Sequence, residues 1–339
     1  MGFVLALVAR RLLAGRIAAA VAVTALIATL CAMIPLISLI RAAHREGAKI
    51  SWLDHLRSVA NHAGEGPMQT VRYANVDGKG LYVDIYAPAN NSGEKSPPVL
   101  MIHGGGYVSG RRSMFPDWSR WLSARGYTVF DIDYRLAPPP TWNQAAQDAA
   151  CALAWIAAQA DAYHVASDRL LVAGQSAGAG LALQVAYGLG DGTVQSSCGG
   201  VGPQPKAVFA LYPPDDFALG WNMNTKLASR GARAFLQAYI GGSPEQYPER
   251  YRAVSAIFHV RPGLPPTLIA VGEHDHLVPF AGHIELVEKL NHAGVPNMLV
   301  AIPYGEHAYD LIWGSLGAQI TRHAAEKFLN QYLPVVEAH

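Results

Sequence analysis

The chain has 339 residues, 51% of them apolar and only 15% charged, with 26 basic against 25 acidic side chains. That much apolar surface excludes a largely disordered chain, and a net charge of +1 excludes a nucleic-acid binder held by a basic field. Three cysteines without a Cys-x-x-Cys pair exclude a disulfide scaffold and a zinc finger.

The charge deficit is concentrated at the front. Between Arg16 and Arg41 lie 24 residues, Ile17 to Ile40, without one charge. As a helix they extend about 36 Å, enough to cross a hydrocarbon core of about 30 Å. A core helix rarely runs so long uncharged, and the apolar part of a cleaved signal peptide is usually about 7–15 residues. Bulky Leu30 before Cys31 argues against a lipoprotein site. The expectation is an uncleaved, single-pass membrane anchor over residues 1–40. Arg10, Arg11 and Arg16 on one side nearly balance Arg41, Arg45, Lys49 and Arg57 on the other. A positive-inside count therefore orients the span weakly. Because a long globular domain can be translocated regardless of such counts, the domain is expected outside the cytoplasm, in a periplasmic or similar compartment.

Residues 41–67 read as a linker with an amphipathic helix around Trp52 to Ala60, ended by Gly64, Gly66 and Pro67. The rest, 68–339, reads as one α/β unit. Thr70 to Asn75 and Gly80 to Tyr86 are β-rich runs around Asp77-Gly78, a hairpin signal. Short apolar strands follow at Val99–Ile102, Tyr127–Ile132, Leu170–Ala173, Ala207–Leu211, Thr267–Val271 and Met298–Ile302. Helical stretches separate most of them: Trp118–Arg125, Asn143–Ala162, Ala177–Leu189, Ala281–Ala293 and Leu316–Gln331. This alternation implies a mainly parallel sheet covered on both faces. The 55 residues between Leu211 and Thr267 break the rhythm. An insertion there, over about 213–262, would sit as a cap above the strand ends, where sites in such sheets lie.

Gly174-Gln175-Ser176-Ala177-Gly178 joins a strand to a helix, the context of a nucleophile elbow. The tight turn needs small neighbours and pushes the serine hydroxyl out at the top of the sheet. His103-Gly104-Gly105-Gly106 follows another strand and suits an oxyanion site of backbone N–H groups. No Lys-Ser/Thr follows, so a phosphate loop is disfavoured. His103 suits an organiser of that loop better than a base. A serine nucleophile needs a base, and the base an orienting carboxylate, in the chain order Ser, acid, His. Asp275 and His307 each lie in a loop just past a late strand. Glu273 is the alternative acid, and Asp310 is too near His307 along the chain to be its partner. His274, Asp275, His276 and His283 offer no His-x-x-x-His pair, so no metal is expected. Tyr107, Phe217 and Trp221 are bulky pocket candidates that could equally be cap core.

Together, His103-Gly-Gly-Gly-Tyr107, Asp133-Tyr134-Arg135-Leu136-Ala137-Pro138, Gly174-Gln-Ser-Ala-Gly178, Asp275 and His307 resemble the α/β-hydrolase carboxylesterases of the hormone-sensitive-lipase-like group. The likeness covers about residues 68–333. It implies an eight-stranded α/β-hydrolase sheet, no cofactor, and hydrolysis of carboxylic esters; the leading expectation is a small or aryl ester cleaved through an acyl-enzyme. Carried over, Ser176 is the nucleophile, His307 the base and Asp275 its partner, with Gly105, Gly106 and Ala177 donating the oxyanion-hole N–H groups. The chain departs from the group at Gln175, where an Asp is common. An amidase or oligopeptidase would use the same residues, and a non-catalytic ligand-binding relative would be expected to lack one of the triad. In such a sheet the helices before and after the elbow strand are neighbours. A Cys151–Cys198 disulfide is therefore expected if the domain faces an oxidising compartment.

Overall fold

The computed structural model describes residues 2–57, 66–88, 93–223 and 228–335, with the side chains of 2–14 and 228–230 left out. It opens on a 45-residue helix, α1 (Gly2–Glu46), and a short α2 (Trp52–Arg57). The expected extension of α2 towards Ala60, with Gly64, falls outside the described residues. The strands are β1 (Gln69–Val76), β2 (Lys79–Tyr86), β3 (Pro98–Ile102), β4 (Thr128–Ile132), β5 (Leu171–Gln175), β6 (Ala207–Leu211), β7 (Thr267–Gly272) and β8 (Asn297–Ile302). Between them lie α3 (Asp117–Ser123), α4 (Gln144–Ala158), α5 (Ala177–Gly188), α6 (Phe217–Trp221), α7 (Ala228–Ile240), α8 (Pro248–Val254) and α9 (Phe280–His292), and the last strand is followed by α10 (Leu316–Tyr332).

The eight strands form one sheet in the order β1-β2-β4-β3-β5-β6-β7-β8. Among the described residues only the β1–β2 hairpin and the β2–β4 pair are antiparallel. The architecture is an α/β-hydrolase sheet with an apolar N-terminal helix in front. Strands β3, β4, β5, β6 and β7 are buried along their whole length, as expected for short apolar runs covered on both faces. Alternate residues feed two cores. Leu100, Ile102 and Val172 face a cluster with α4, α5 and α9, while Val99, Met101, Leu171 and Ala173 face one with α3, α10 and the end of α1. Helix α5 is buried at every residue; its glycines and alanines let it lie close on the sheet.

Two boundaries differ from expectation. Helix α1 continues past residue 40 because Ala42 and Ala43 are buried in the second cluster, where α10 supplies Ile320, Ala324 and Phe328. Helix α4 ends at Ala158, four residues early, and the chain then turns so that Val165 pairs with Ser96. Cys151 on α4 and Cys198, in the loop after α5, form a disulfide with Cα atoms 5.5 Å apart.

Candidate active site

The parallel register brings the carboxyl ends of β3, β5, β6, β7 and β8 level: Ile102 pairs with Gly174, Gln175 with Leu211, and Gly272 with Ile302. The loops that follow converge at that end. Ser176 sits between β5 and α5 with φ 53° and ψ −121°, a left-handed conformation uncommon for a side-chain-bearing residue. The turn is possible because Gly178 has no Cβ; one built there would lie 2.1 Å from the Ile102 carbonyl oxygen.

His307 Nε2 lies 2.8 Å from Ser176 Oγ, and His307 Nδ1 lies 2.7 Å from Asp275 Oδ2. The Asp275 side chain is fully buried, and its other oxygen accepts the N–H groups of Leu277 and Val278 at 2.7 and 2.8 Å. With both oxygens engaged, this carboxylate cannot swing away from the imidazole. Glu273 is exposed and takes no part. Neighbouring Glu306 pairs with His276 and accepts the backbone N–H of His307 at 3.1 Å, which steadies the loop.

The glycine loop lies beside the serine. A Cβ on Gly104 would be 3.3 Å from Ser176 Cβ. Gly105 has φ +119°, which only glycine adopts without strain. Among the described residues no protein acceptor takes the N–H of Gly105 or Gly106. Ala177 begins α5, so its N–H is one of a helix's unsatisfied first donors. His103 is buried, donates to the Gly104 carbonyl at 2.6 Å and stacks on Tyr134 at 4.4 Å. Burial pushes its pKa below the ordinary value, which suits a neutral organiser. The Asp133–Pro138 run supports this loop from beneath. Tyr134 donates to the His103 carbonyl, Ala137 N–H to Tyr107, and Arg135 grips buried Asp148 through both Nε and Nη2 at 2.8 Å.

A largely apolar cleft opens at Ser176. Tyr107 and Phe217 line it, as do Phe235 and Leu236 from α7 and Leu277 and Val278 after β7. Trp221 does not; it packs against Tyr251. Tyr212 and Trp118 escaped the reading from sequence, and Asp310 entered it only as a residue too near His307 to be its partner. Tyr212 lies edge-on to the His307 ring at 4.7 Å and donates to buried Asp310 at 2.8 Å, and Trp118 Nε1 donates to the other Asp310 oxygen at 2.6 Å. Burial pushes the Asp310 pKa up while the hydrogen bonds from Trp118, Tyr212 and Gln175 pull it down. Gln175 thus stands as a neutral donor beside a carboxylate, where an aspartate would add a like charge. The one available signal was Tyr212-Pro213-Pro214 directly after a strand end.

The model of the BD-FAE family matches residues 83–290, more than half of the chain. The chain belongs to the BD-FAE family. This is a hormone-sensitive-lipase-like α/β-hydrolase family, as the motifs implied. Similar curated proteins include esterase LipC of Mycobacterium tuberculosis, 27% identical over 253 residues, or 74% of this chain and 62% of that protein. The probable carboxylic ester hydrolase LipM of the same organism is 26% identical over 286 residues, 81% of this chain and 62% of LipM. The chain thus spans about three fifths of the length of these curated relatives. Among solved structures, the butyrate-bound thermophilic esterase Est2 of Thermogutta terrifontis superposes with TM-score 0.63 at 22% identity, over 79% of this chain and 95% of Est2. At that identity the likeness speaks for the fold.

Proposed function

We propose that the chain is a serine carboxylesterase acting on small or aryl esters, with Ser176 as nucleophile, His307 as base and Asp275 as the group that holds the imidazole. The observation that carries this reading is the continuous hydrogen-bond chain Ser176–His307–Asp275 ending on a buried carboxylate. His307 Nε2 accepts the Ser176 proton as Oγ attacks the ester carbonyl. The developing oxyanion is met by the N–H groups of Gly105, Gly106 and Ala177, two of them on the glycine loop that His103 and Tyr134 brace. His307 then protonates the departing alcohol, and water releases the acyl group by the same path. The apolar lining of the cleft supports an uncharged acyl group. Segment 213–262, with α6, α7 and α8, acts as the cap: Phe217, Phe235 and Leu236 come from it. The names of LipC and LipM support an ester rather than an amide.

Residues 1–40 serve as an anchor. Gly15–Glu46 is apolar enough to cross a membrane and wholly exposed over its most apolar stretch, while Ala42 and Ala43 at its end belong to the domain core. The Cys151–Cys198 disulfide supports a domain facing an oxidising compartment outside the cytoplasm.

The test is hydrolysis of a p-nitrophenyl acyl series by the detergent-extracted chain, beside Ser176→Ala. The wild type should turn over the short acyl members, and the variant should lose at least about 10³-fold with an unchanged melting curve. A variant retaining more than about a hundredth of the turnover would refute the assignment.

A further inference from the structure

Helix α10 runs the height of the sheet and marks its two ends. Near its start, a Cβ on Gly317 would lie 2.9 Å from Ile302, the last residue of β8, and Thr321 hydrogen-bonds Tyr309, two residues past His307. This is the mouth end. Past its last turn, the Leu333 carbonyl accepts from Tyr127, just before β4, at 2.7 Å, and the Pro334 carbonyl accepts from Arg169, just before β5. This is the floor, where the parallel strands begin.

The last residue of α1 and the chain after it run along α10 in the opposite sense. Lys327 donates to the Glu46 carbonyl at 3.4 Å. A Cβ on Gly47 would lie 3.7 Å from His323 Nε2. Ser51 N–H donates to Gln319 Oε1 at 2.7 Å, and Gln319 Nε2 returns a bond to the Ser51 carbonyl at 3.0 Å. Numbers rise on one partner as they fall on the other. The chain therefore enters at the floor and climbs towards the mouth. Ala42 and Ala43 pack into the cluster that holds Phe328 and Leu329, in the floor half of α10, and α1 is continuous from Gly2 to Glu46, so carrying the same sense back along the helix takes the uncharged stretch before Arg41 past the floor. Pro35 within it permits a bend but does not turn a helix back on itself.

We propose that the domain stands upright on the membrane with its mouth turned away from the bilayer, and that its substrates are esters delivered from the aqueous phase rather than membrane lipids. This rests on the readings of α1 as a span and of Ser176 as the nucleophile. From Leu333 to Gln319, at 1.5 Å per residue, floor and mouth are about 20 Å apart. The ester of a bilayer lipid lies at headgroup depth, on the floor side of that gap. It cannot meet Ser176 without leaving the membrane.

The test uses the full chain in phosphatidylcholine vesicles carrying a headgroup nitroxide, a short-range quencher. In a Cys31→Ser background, a dye is placed on the floor through Lys206→Cys or at the mouth through Glu273→Cys; both side chains are exposed. The floor dye should be quenched at least threefold more than the mouth dye. Equal quenching, or a mouth dye quenched more, overturns the orientation. In the same vesicles, p-nitrophenyl butyrate should turn over within twofold of its rate in micelles. A fluorogenic diacylglycerol in the bilayer should turn over at least 100-fold more slowly, and comparable rates overturn the substrate class. Turnover of neither ester, with the floor dye still quenched more, would keep the orientation and refute the serine-esterase reading instead.

Discussion

Asp275 and Glu273 are two residues apart in one loop, yet only one reaches the imidazole. The Asp275 side chain is fully buried, with its carboxylate tied by two backbone N–H groups and by His307 Nδ1, whereas Glu273 points to solvent. Asp275→Asn should lower kcat by about 10³–10⁴-fold, because an amide NH₂ facing Nδ1 favours the wrong tautomer. Glu273→Gln should stay within about threefold of wild type. The measurement is kcat and KM on one p-nitrophenyl ester, and a reversal of the two effects would identify the other carboxylate. Ser176, Asp275, His307 and the glycine loop could be named as candidates from sequence because each sits at a strand end with a local signature. Tyr212 and Asp310 could not. Their hydrogen bond spans 98 residues, and nothing in either neighbourhood announces the other. Asp310 was set aside as too close to His307 to be its partner; it braces the histidine loop from behind through Tyr212 instead.

At the scale of elements, strands and helices were legible from period and turn chemistry, and charges inside strands were not. Asp131 lies within β4 and is fully buried, with one oxygen accepting from Ser119 at 3.0 Å. Desolvation, with Asp84 and Asp133 nearby, pushes its pKa up to about 7. The unfolded chain has an ordinary value near 4, so between about pH 4 and 7 the folded state binds the extra proton. Stability therefore falls as pH rises through that window and is lowest above it, by an amount on the order of 4 kcal/mol. Asp131→Asn keeps the acceptor for Ser119 and cannot ionise. It should raise Tm at pH 8 and have little effect at pH 5; the same Tm change at both would contradict the shift. The α4 to α5-loop connection gives a second check. Cys151 and Cys198 are 47 residues apart, and closing a loop of that length stabilises by about 4 kcal/mol in the chain-entropy model. Cys198→Ser should lower Tm in oxidising buffer and change nothing under reduction.

Across the whole molecule, composition located one helix apolar enough to cross a membrane but could not show that its end is also core. Alanines at 42 and 43 look like any other small residues of the apolar stretch, and α10, which covers them, lies almost 300 residues away. Leu39, Ala48 and Ile50 join them against the cluster of Phe328 and Leu329. Two truncations separate anchor from core. A chain lacking residues 1–40 loses the uncharged span, with partly buried Leu39 at its end, and keeps Ala42, Ala43, Ala48 and Ile50, so it should be soluble without detergent and about as active as the full chain. A chain lacking residues 1–50 also loses two buried alanine methyls and a half-buried isoleucine. At about 0.8 kcal/mol per buried carbon this removes roughly 2–3 kcal/mol. For a domain of this size the loss should lower Tm by roughly 5–10 °C. It also bares an apolar stripe on α10, so the shorter chain should aggregate more readily on heating. Thermal melts of the two purified chains decide the matter: equal Tm values would mean that the end of α1 contributes nothing to the fold and is a tether only.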